Sequence, residues 1–112
     1  MSISSAMPEV NATEAAKRIA EGAFTLDVRE KLEWDAGHIG SAVHIPLGEL
    51  VSRHNEISSD RDILVFCRSG GRSAEATLVL CALGYKAHNV VGGMQAWVAA
   101  GEPIDPESGV VL

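Results

Sequence analysis

Apolar and polar positions along the 112-residue chain fall into short blocks whose period changes from block to block. Ile63, Leu64, Val65 and Phe66 form a β-branched and aromatic run with no polar face, which predicts a short strand buried on both sides. The run stops at Cys67, and the next residues are small, polar and basic. Residues 73–83 then read as a helix, with Gly84 placed to end it. On that helix Ala74, Leu78 and Cys81 fall at i, i+4 and i+7, which predicts the buried face and makes Cys81 a core thiol.

The remaining blocks alternate in the same way. Pro8, Glu9 and Val10 read as a short edge strand, and Asn11 with Glu14 forms a capping-box pattern. The helix it opens runs through Ala15, Ala16, Ile19 and Ala20 to a stop at Gly22. Residues 24–28 predict a strand, residues 32–36 a single helical turn closed by Gly37, and residues 43–45 a short strand ended by Pro46. Residues 47–54 read as a weaker helix because of Gly48, and residues 55–62 as a polar connection. Residues 85–91 predict the last strand, and Gly92-Gly93 a tight turn into a helix over 94–100 that Gly101 stops. Alternating strands and helices predict an α/β fold with a mainly parallel sheet. Residues 1–7 read as a flexible end, residues 8–101 as one domain, and residues 102–112, with Pro103, Pro106 and Gly109, as an irregular tail.

Composition narrows the function classes. Apolar content of 46% and charged content of 21% are those of a soluble globular domain. The net charge of −6 argues against nucleic acid or an anionic membrane as a general partner, so an anionic substrate must be drawn by local charge. Two cysteines do not make a disulfide framework, and no Cys/His spacing resembles a zinc site, so no metal or other cofactor is expected. No apolar run approaches the length of a membrane span, and the first residues lack a basic region followed by an apolar stretch. These features predict a cytoplasmic protein.

The candidate chemistry lies at the loop after the run over 63–66. A strand, a glycine-containing loop and a helix bring free backbone N–H groups together at a helix N-terminus, where they favour an anion. Cys67 begins this loop, so its own thiolate is the first anion to benefit. A thiol of ordinary pKa is about 3% ionised at pH 7; lowering the pKa by two units raises that to about 75%, roughly 25-fold more nucleophile. Arg68, Arg72 and the helix dipole push the same way, and Gly70 and Gly71 let the backbone approach a bound anion. The competing structural reading makes Cys67 a small hydrophobe that closes the strand. Asp27 and Arg29 follow another strand on the side where open α/β sheets bind ligands, and they read as groups that fasten loops. His38, between glycine and isoleucine, is a candidate base or ligand, but it reads more readily as a residue fixing a turn.

Taken in order, several segments resemble the rhodanese family of sulfurtransferases. They are D-V-R-E at Asp27, E-W at Glu33, G-H-I at Gly37, I-P at Ile45, C-R-S-G-G-R-S at Cys67, G-Y at Gly84 and G-G-M-Q-A-W at Gly92. Each piece is weak alone, and the ordered set is specific. The resemblance implies a three-layer α/β fold with a parallel sheet of about five strands and helices on both faces. It also implies that Cys67 is a catalytic nucleophile taking sulfur from thiosulfate or a related anionic donor. The resulting persulfide would pass its sulfur to cyanide, a thiol or a protein acceptor. Arg68, Ser69, Gly70, Gly71, Arg72 and Ser73 would form the substrate loop, with Arg68 on the donor and Arg72 bracing the fold through an acidic neighbour such as Glu33. Asp27, Arg29, Glu33 and His38 would support the site. Gly40-Ser41 stands where the family often has Pro-Gly, and Lys31 where proline is common. Three other readings compete: a cysteine phosphatase or arsenate reductase, a sulfur-relay module with a dedicated partner, and a binding module that has lost catalysis. Phosphatases of this kind place five residues between cysteine and arginine, whereas four separate Cys67 from Arg72. The intact Cys67 opposes the non-catalytic module.

Overall fold

Residues 63–66 lie at the middle of the sheet because nothing along them can face water. In the computed structural model, which describes residues 7–112, Ile63, Leu64, Val65 and Phe66 are completely buried. Each such side chain contributes about 1.5–3 kcal/mol on burial. They belong to β4 (Asp62–Phe66), which lies between β5 (Lys86–Val90) and β2 (Phe24–Asp27). The short edge strands β1 (Glu9–Val10) and β3 (Val43–His44) complete the order β1-β5-β4-β2-β3, with every pairing parallel. Asp27 is in register with both Phe66 and His44, so β2, β3 and β4 finish level at one end of the sheet.

Alternate residues of β4 feed two separate cores. Ile63, Val65 and Cys67 join the core closed by Leu50 of α3 (Leu50–Arg53) and by Ala76 and Leu80 of α4 (Gly71–Ala82). Leu64 and Phe66 join the other, closed by Ala15 of α1 (Ala12–Ala20) and by Met94 and Trp97 of α5 (Gly93–Ala99). The result is three layers, with helices on both faces of a parallel sheet. A further helix, α2 (Lys31–Ala36), buries none of its own residues and follows β2 in the chain.

Helix ends depart from expectation where side chains find better partners. Asn11 caps α1 by accepting the Glu14 N–H at 2.8 Å, a contact worth about 1 kcal/mol. The capping box is only half formed, because the Glu14 carboxylate accepts Arg18 Nε–H at 2.8 Å instead. α4 begins at Gly71, two residues before the predicted start, and buries Ser73, Ala76, Thr77 and Leu80. The predicted face of Ala74, Leu78 and Cys81 is therefore corrected: Leu78 is 56% exposed, and Cys81 is only partly buried against the core. Burial of the two hydroxyls is tolerated because both are bonded, Ser73 to Asn89 and Thr77 to the Ser73 carbonyl at 2.7 Å. The predicted helix over 47–54 is three short pieces, with 3₁₀ turns at Leu47–Glu49 and His54–Glu56 flanking α3.

Residues 102–112 form no helix and only a single bridge, yet they are fastened. Asp105 and His38 exchange backbone hydrogen bonds at 2.9 and 2.6 Å, Trp97 Nε1–H donates to the Pro103 carbonyl at 2.9 Å, and Val110 N–H donates to the Ala36 carbonyl at 2.9 Å. The flexible end expected over residues 1–7 lies, except for Met7, outside the described residues. Among the described residues no helix is long and apolar enough to cross a membrane.

Candidate active site

The topology marks a candidate position before any side chain is considered. The chain leaves β2 toward β3 and leaves β4 toward β5, in opposite directions across the sheet, so the C-terminal ends of β2 and β4 flank a switch point. The loop after β4 carries Cys67 to Gly70, and the turn after β2 carries Val28 to Glu30.

Cys67 is 1% exposed, and its Sγ accepts the Gly70 N–H at 3.0 Å and lies 3.2 Å from Ser73 Oγ. Burial pushes this thiol up, but the Ser73 hydroxyl and the N–H groups of Ser73, Gly70 and Ser69 outweigh it and hold the group below the usual cysteine range. The loop can close this tightly because Gly70 takes a left-handed φ of +110°, and a Cβ there would come within 3.4 Å of the Gly92 nitrogen. The α5 end supports the loop from behind: Met94 N–H donates to the Cys67 carbonyl at 2.8 Å and Gln95 N–H to the Arg68 carbonyl at 3.0 Å. Gly93, at φ +52°, makes that approach possible, since a Cβ would run into the Cys67 carbonyl oxygen and lie 2.9 Å from the Arg68 carbonyl carbon.

The two loop arginines do different things. Arg72, at the start of α4, donates from Nη1 and Nη2 to the two carboxylate oxygens of Glu33 at 2.7 and 2.8 Å. The Arg72 guanidinium, aided by the Glu30 N–H, pulls the Glu33 carboxyl down to about 2. Arg68 is exposed, and its Nε–H donates to the Leu112 backbone oxygen at 2.6 Å. Ser69 is exposed and Gly71 opens α4.

Asp27, Arg29 and His38 form a second group. Arg29 is fully buried, pairs with Asp27 at 2.7 Å through Nη2, and donates from the same nitrogen to the Gly37 carbonyl at 2.8 Å. This pair fastens the far end of the segment carrying α2, and so the position of Glu33. His38 stacks on Trp34 with ring centres 3.7 Å apart, and its Nδ1 lies 2.8 Å from the Trp34 carbonyl. The hydrogen bonds of Asp27, Arg29 and His38 run to their own loops and not to Cys67.

Asn89 is a site residue that the sequence pattern does not single out. Its Oδ1 accepts the Ser73 hydroxyl at 2.6 Å and its Nδ2 donates to the Gly70 carbonyl at 3.3 Å, so it touches both residues that bond the thiol. The one signal for it in the sequence is an amide directly before the apolar pair Val90 and Val91. No group of three or more His, Cys, Asp or Glu side chains among the described residues is placed to hold a metal ion.

Comparison with known proteins gives one consistent result. The rhodanese-like domain profile matches residues 11–100. A sulfurtransferase of Allochromatium vinosum is 35% identical over 99 residues, covering 86% of this chain and 92% of its own. YrkF of Bacillus subtilis, a putative sulfur carrier protein, is 38% identical over 88% of this chain, which spans 55% of the YrkF length. Thiosulfate sulfurtransferase 18 of Arabidopsis thaliana is 36% identical, covering 88% of this chain and 83% of its own. A solved rhodanese-related protein from Thermoplasma volcanium matches with a TM-score of 0.82 at 34% identity, over 87% of this chain and 96% of that one. With strand order, cysteine loop and profile in agreement over most of its length, the chain belongs to the rhodanese-like domain family.

Proposed function

We propose that this chain is a sulfurtransferase that carries sulfane sulfur as a persulfide on Cys67, taking it from thiosulfate or a related anionic donor. One observation carries the reading: a buried thiol at the switch point, held below its usual pKa by hydrogen bonds from the loop that follows it. Relatives named as a sulfurtransferase, a sulfur carrier and a thiosulfate sulfurtransferase support the same chemistry.

In the first step the Cys67 thiolate attacks the outer sulfur of thiosulfate. A bond forms between the two sulfurs, the S–S bond of thiosulfate breaks, and its electron pair leaves with sulfite. The persulfide's outer sulfur now bears the negative charge, which the loop N–H groups meet as an oxyanion hole meets oxygen. In the second step a nucleophile (cyanide, a thiol or a protein acceptor) bonds to that outer sulfur, and the bond to Sγ breaks to restore the thiolate. Arg68, exposed on the loop, draws the anionic donor, while Arg72 is committed to Glu33 and holds α4 against α2. Ser69, Gly70 and Gly71 give the loop its close approach, and Asp27, Arg29 and His38 keep the surrounding turns in place. A reducing compartment such as the cytoplasm keeps the free thiols Cys67 and Cys81 available, and we place the activity there.

Four residues between Cys67 and Arg72 favour sulfur over a tetrahedral oxyanion, whose several oxygens each need a donor. The test is intact-protein mass spectrometry with thiosulfate, then cyanide, beside an aryl phosphate assay. One sulfur atom is gained and then lost, sulfite is released, and aryl phosphate is untouched. A Cys67→Ser protein that still gains cyanide-labile sulfur overturns the assignment, as does Cys67-dependent phosphate hydrolysis without sulfur loading.

A further inference from the structure

Asn89 lies on β5, 4% exposed, and neither step of the sulfur transfer uses it. Its Nδ2 faces the Gly70 carbonyl, which can only accept, so the amide has one workable orientation and Oδ1 must face Ser73. Ser73 Oγ therefore has two neighbours, Oδ1 at 2.6 Å and Cys67 Sγ at 3.2 Å, and one hydrogen to give.

While Cys67 is a thiol, both contacts are satisfied: S–H donates to Ser73, and Ser73 donates to Asn89. Once that proton leaves, Sγ can only accept, and Oδ1 can only accept. The hydroxyl must turn to one of them, and a buried acceptor loses its donor, at a cost. We propose that Asn89 is a positioning residue that competes with the Cys67 thiolate for the Ser73 hydroxyl proton and so sets how much thiolate the site carries. When Sγ is joined to a second sulfur, the charge sits on the outer atom, and the hydroxyl returns to Asn89. The consequence for sulfur transfer rests on the Cys67 carrier reading; the competition itself does not.

Other charges around the loop do not enter this contact. Arg68, Arg72 with Glu33, the Asp27–Arg29 pair, Lys86 and His88 of β5 and Glu9 of β1 make no hydrogen bond to Ser73 or the Asn89 amide among the described residues. α5 brings the backbone N–H groups of Met94 and Gln95, and both are taken by loop carbonyls.

The experiment is peptide-resolved alkylation of Cys67 by iodoacetamide across pH, checked by thiolate absorbance against Cys67→Ser. Asn89→Leu removes the competing acceptor and should lower the titration midpoint by about one unit, or about 10-fold more thiolate below the midpoint. Ser73→Ala should raise the midpoint, and adding Asn89→Leu to it should change nothing further. Should Asn89→Leu fail to fold, Asn89→Asp keeps the shape and strengthens the acceptor. Its midpoint should rise, by more beside Ser73 than in the Ser73→Ala background. An Asn89→Leu midpoint that stays or rises overturns the proposal, as does a shift of equal size without the Ser73 hydroxyl. No sulfur donor is involved, so midpoints that move as stated in a protein thiosulfate cannot load would sink the sulfur-transfer reading and leave this one standing.

Discussion

Arg72 and Glu33, 39 residues apart, meet in a doubly bonded pair with N–O distances of 2.7 and 2.8 Å. The pair joins the helix that follows the cysteine loop to the helix that follows β2, across the switch point of the sheet. The Glu33 side chain is 16% exposed and that of Arg72 35%, so the contact is partly shielded and worth about 1–2 kcal/mol. Arg72→Ala or Glu33→Gln should lower the melting temperature accordingly. Glu33 has its folded pKa depressed from 4.5 to about 2, so its stabilisation is complete above pH about 4.5 and is lost as pH falls toward 2. Melting curves from pH 7 to pH 3 should therefore draw closer together for wild type and Glu33→Gln. Curves that stay equally far apart would refute the pairing.

Arg68 is the loop cation that pairs with no Asp or Glu side chain among the described residues, and its Nε–H is given to the Leu112 backbone oxygen. Arg68→Ala should raise KM for thiosulfate about 10- to 150-fold, the worth of one charge-assisted contact, and slow Cys67 alkylation by less. Steady-state kinetics beside alkylation rates decide it. Equal losses in both would make Arg68 a general activator of the thiol instead of a donor contact.

Gly93 meets the same loop from behind. Gly93→Ala forces a Cβ against the Cys67 carbonyl and Arg68, in addition to the strain of a positive φ, and should cost about 2–4 kcal/mol. Gly84→Ala has a φ of +94° with nothing within 4 Å, so it should cost only about 1 kcal/mol. Chemical denaturation of the two variants measures the difference. Equal losses would mean that the close packing of α5 on the loop contributes nothing.

The strands are legible because residues such as Ile63 to Phe66 have no polar alternative to burial, and the glycines after residues 83 and 100 end their helices as expected. The loop is legible as a place, from Cys67 to Ser73, through the switch from apolar to small and basic residues. Its bonding is not. Ser73 and Thr77 read as polar, so periodicity alone puts the buried face of α4 at Ala74, Leu78 and Cys81; the partner that permits Ser73 to be buried lies 16 residues away on β5. Asn89 itself reads as one more polar position in a strand. The link from His38 to Asp105 leaves no periodic trace, because two backbones meet there and no side-chain pattern is needed.

The hold of α5 on the loop carbonyls bears on reorganisation energy. In a trans peptide the C=O and the next N–H point in opposite directions. With the Cys67 and Arg68 carbonyls tied to Met94 and Gln95, the N–H groups of Arg68 and Ser69 are turned away from α5, on the loop whose Gly70 N–H bonds the thiol sulfur. These dipoles are aligned before any charge moves, so in the proposed sulfur transfer little solvent-like rearrangement would accompany the passage of charge from Sγ to an outer sulfur. The dielectric stiffness of the candidate site thus resides in a helix that reaches the loop from behind, through its carbonyls. A substitution in α5 that leaves every loop residue intact can slow the chemistry by softening the medium in which it occurs.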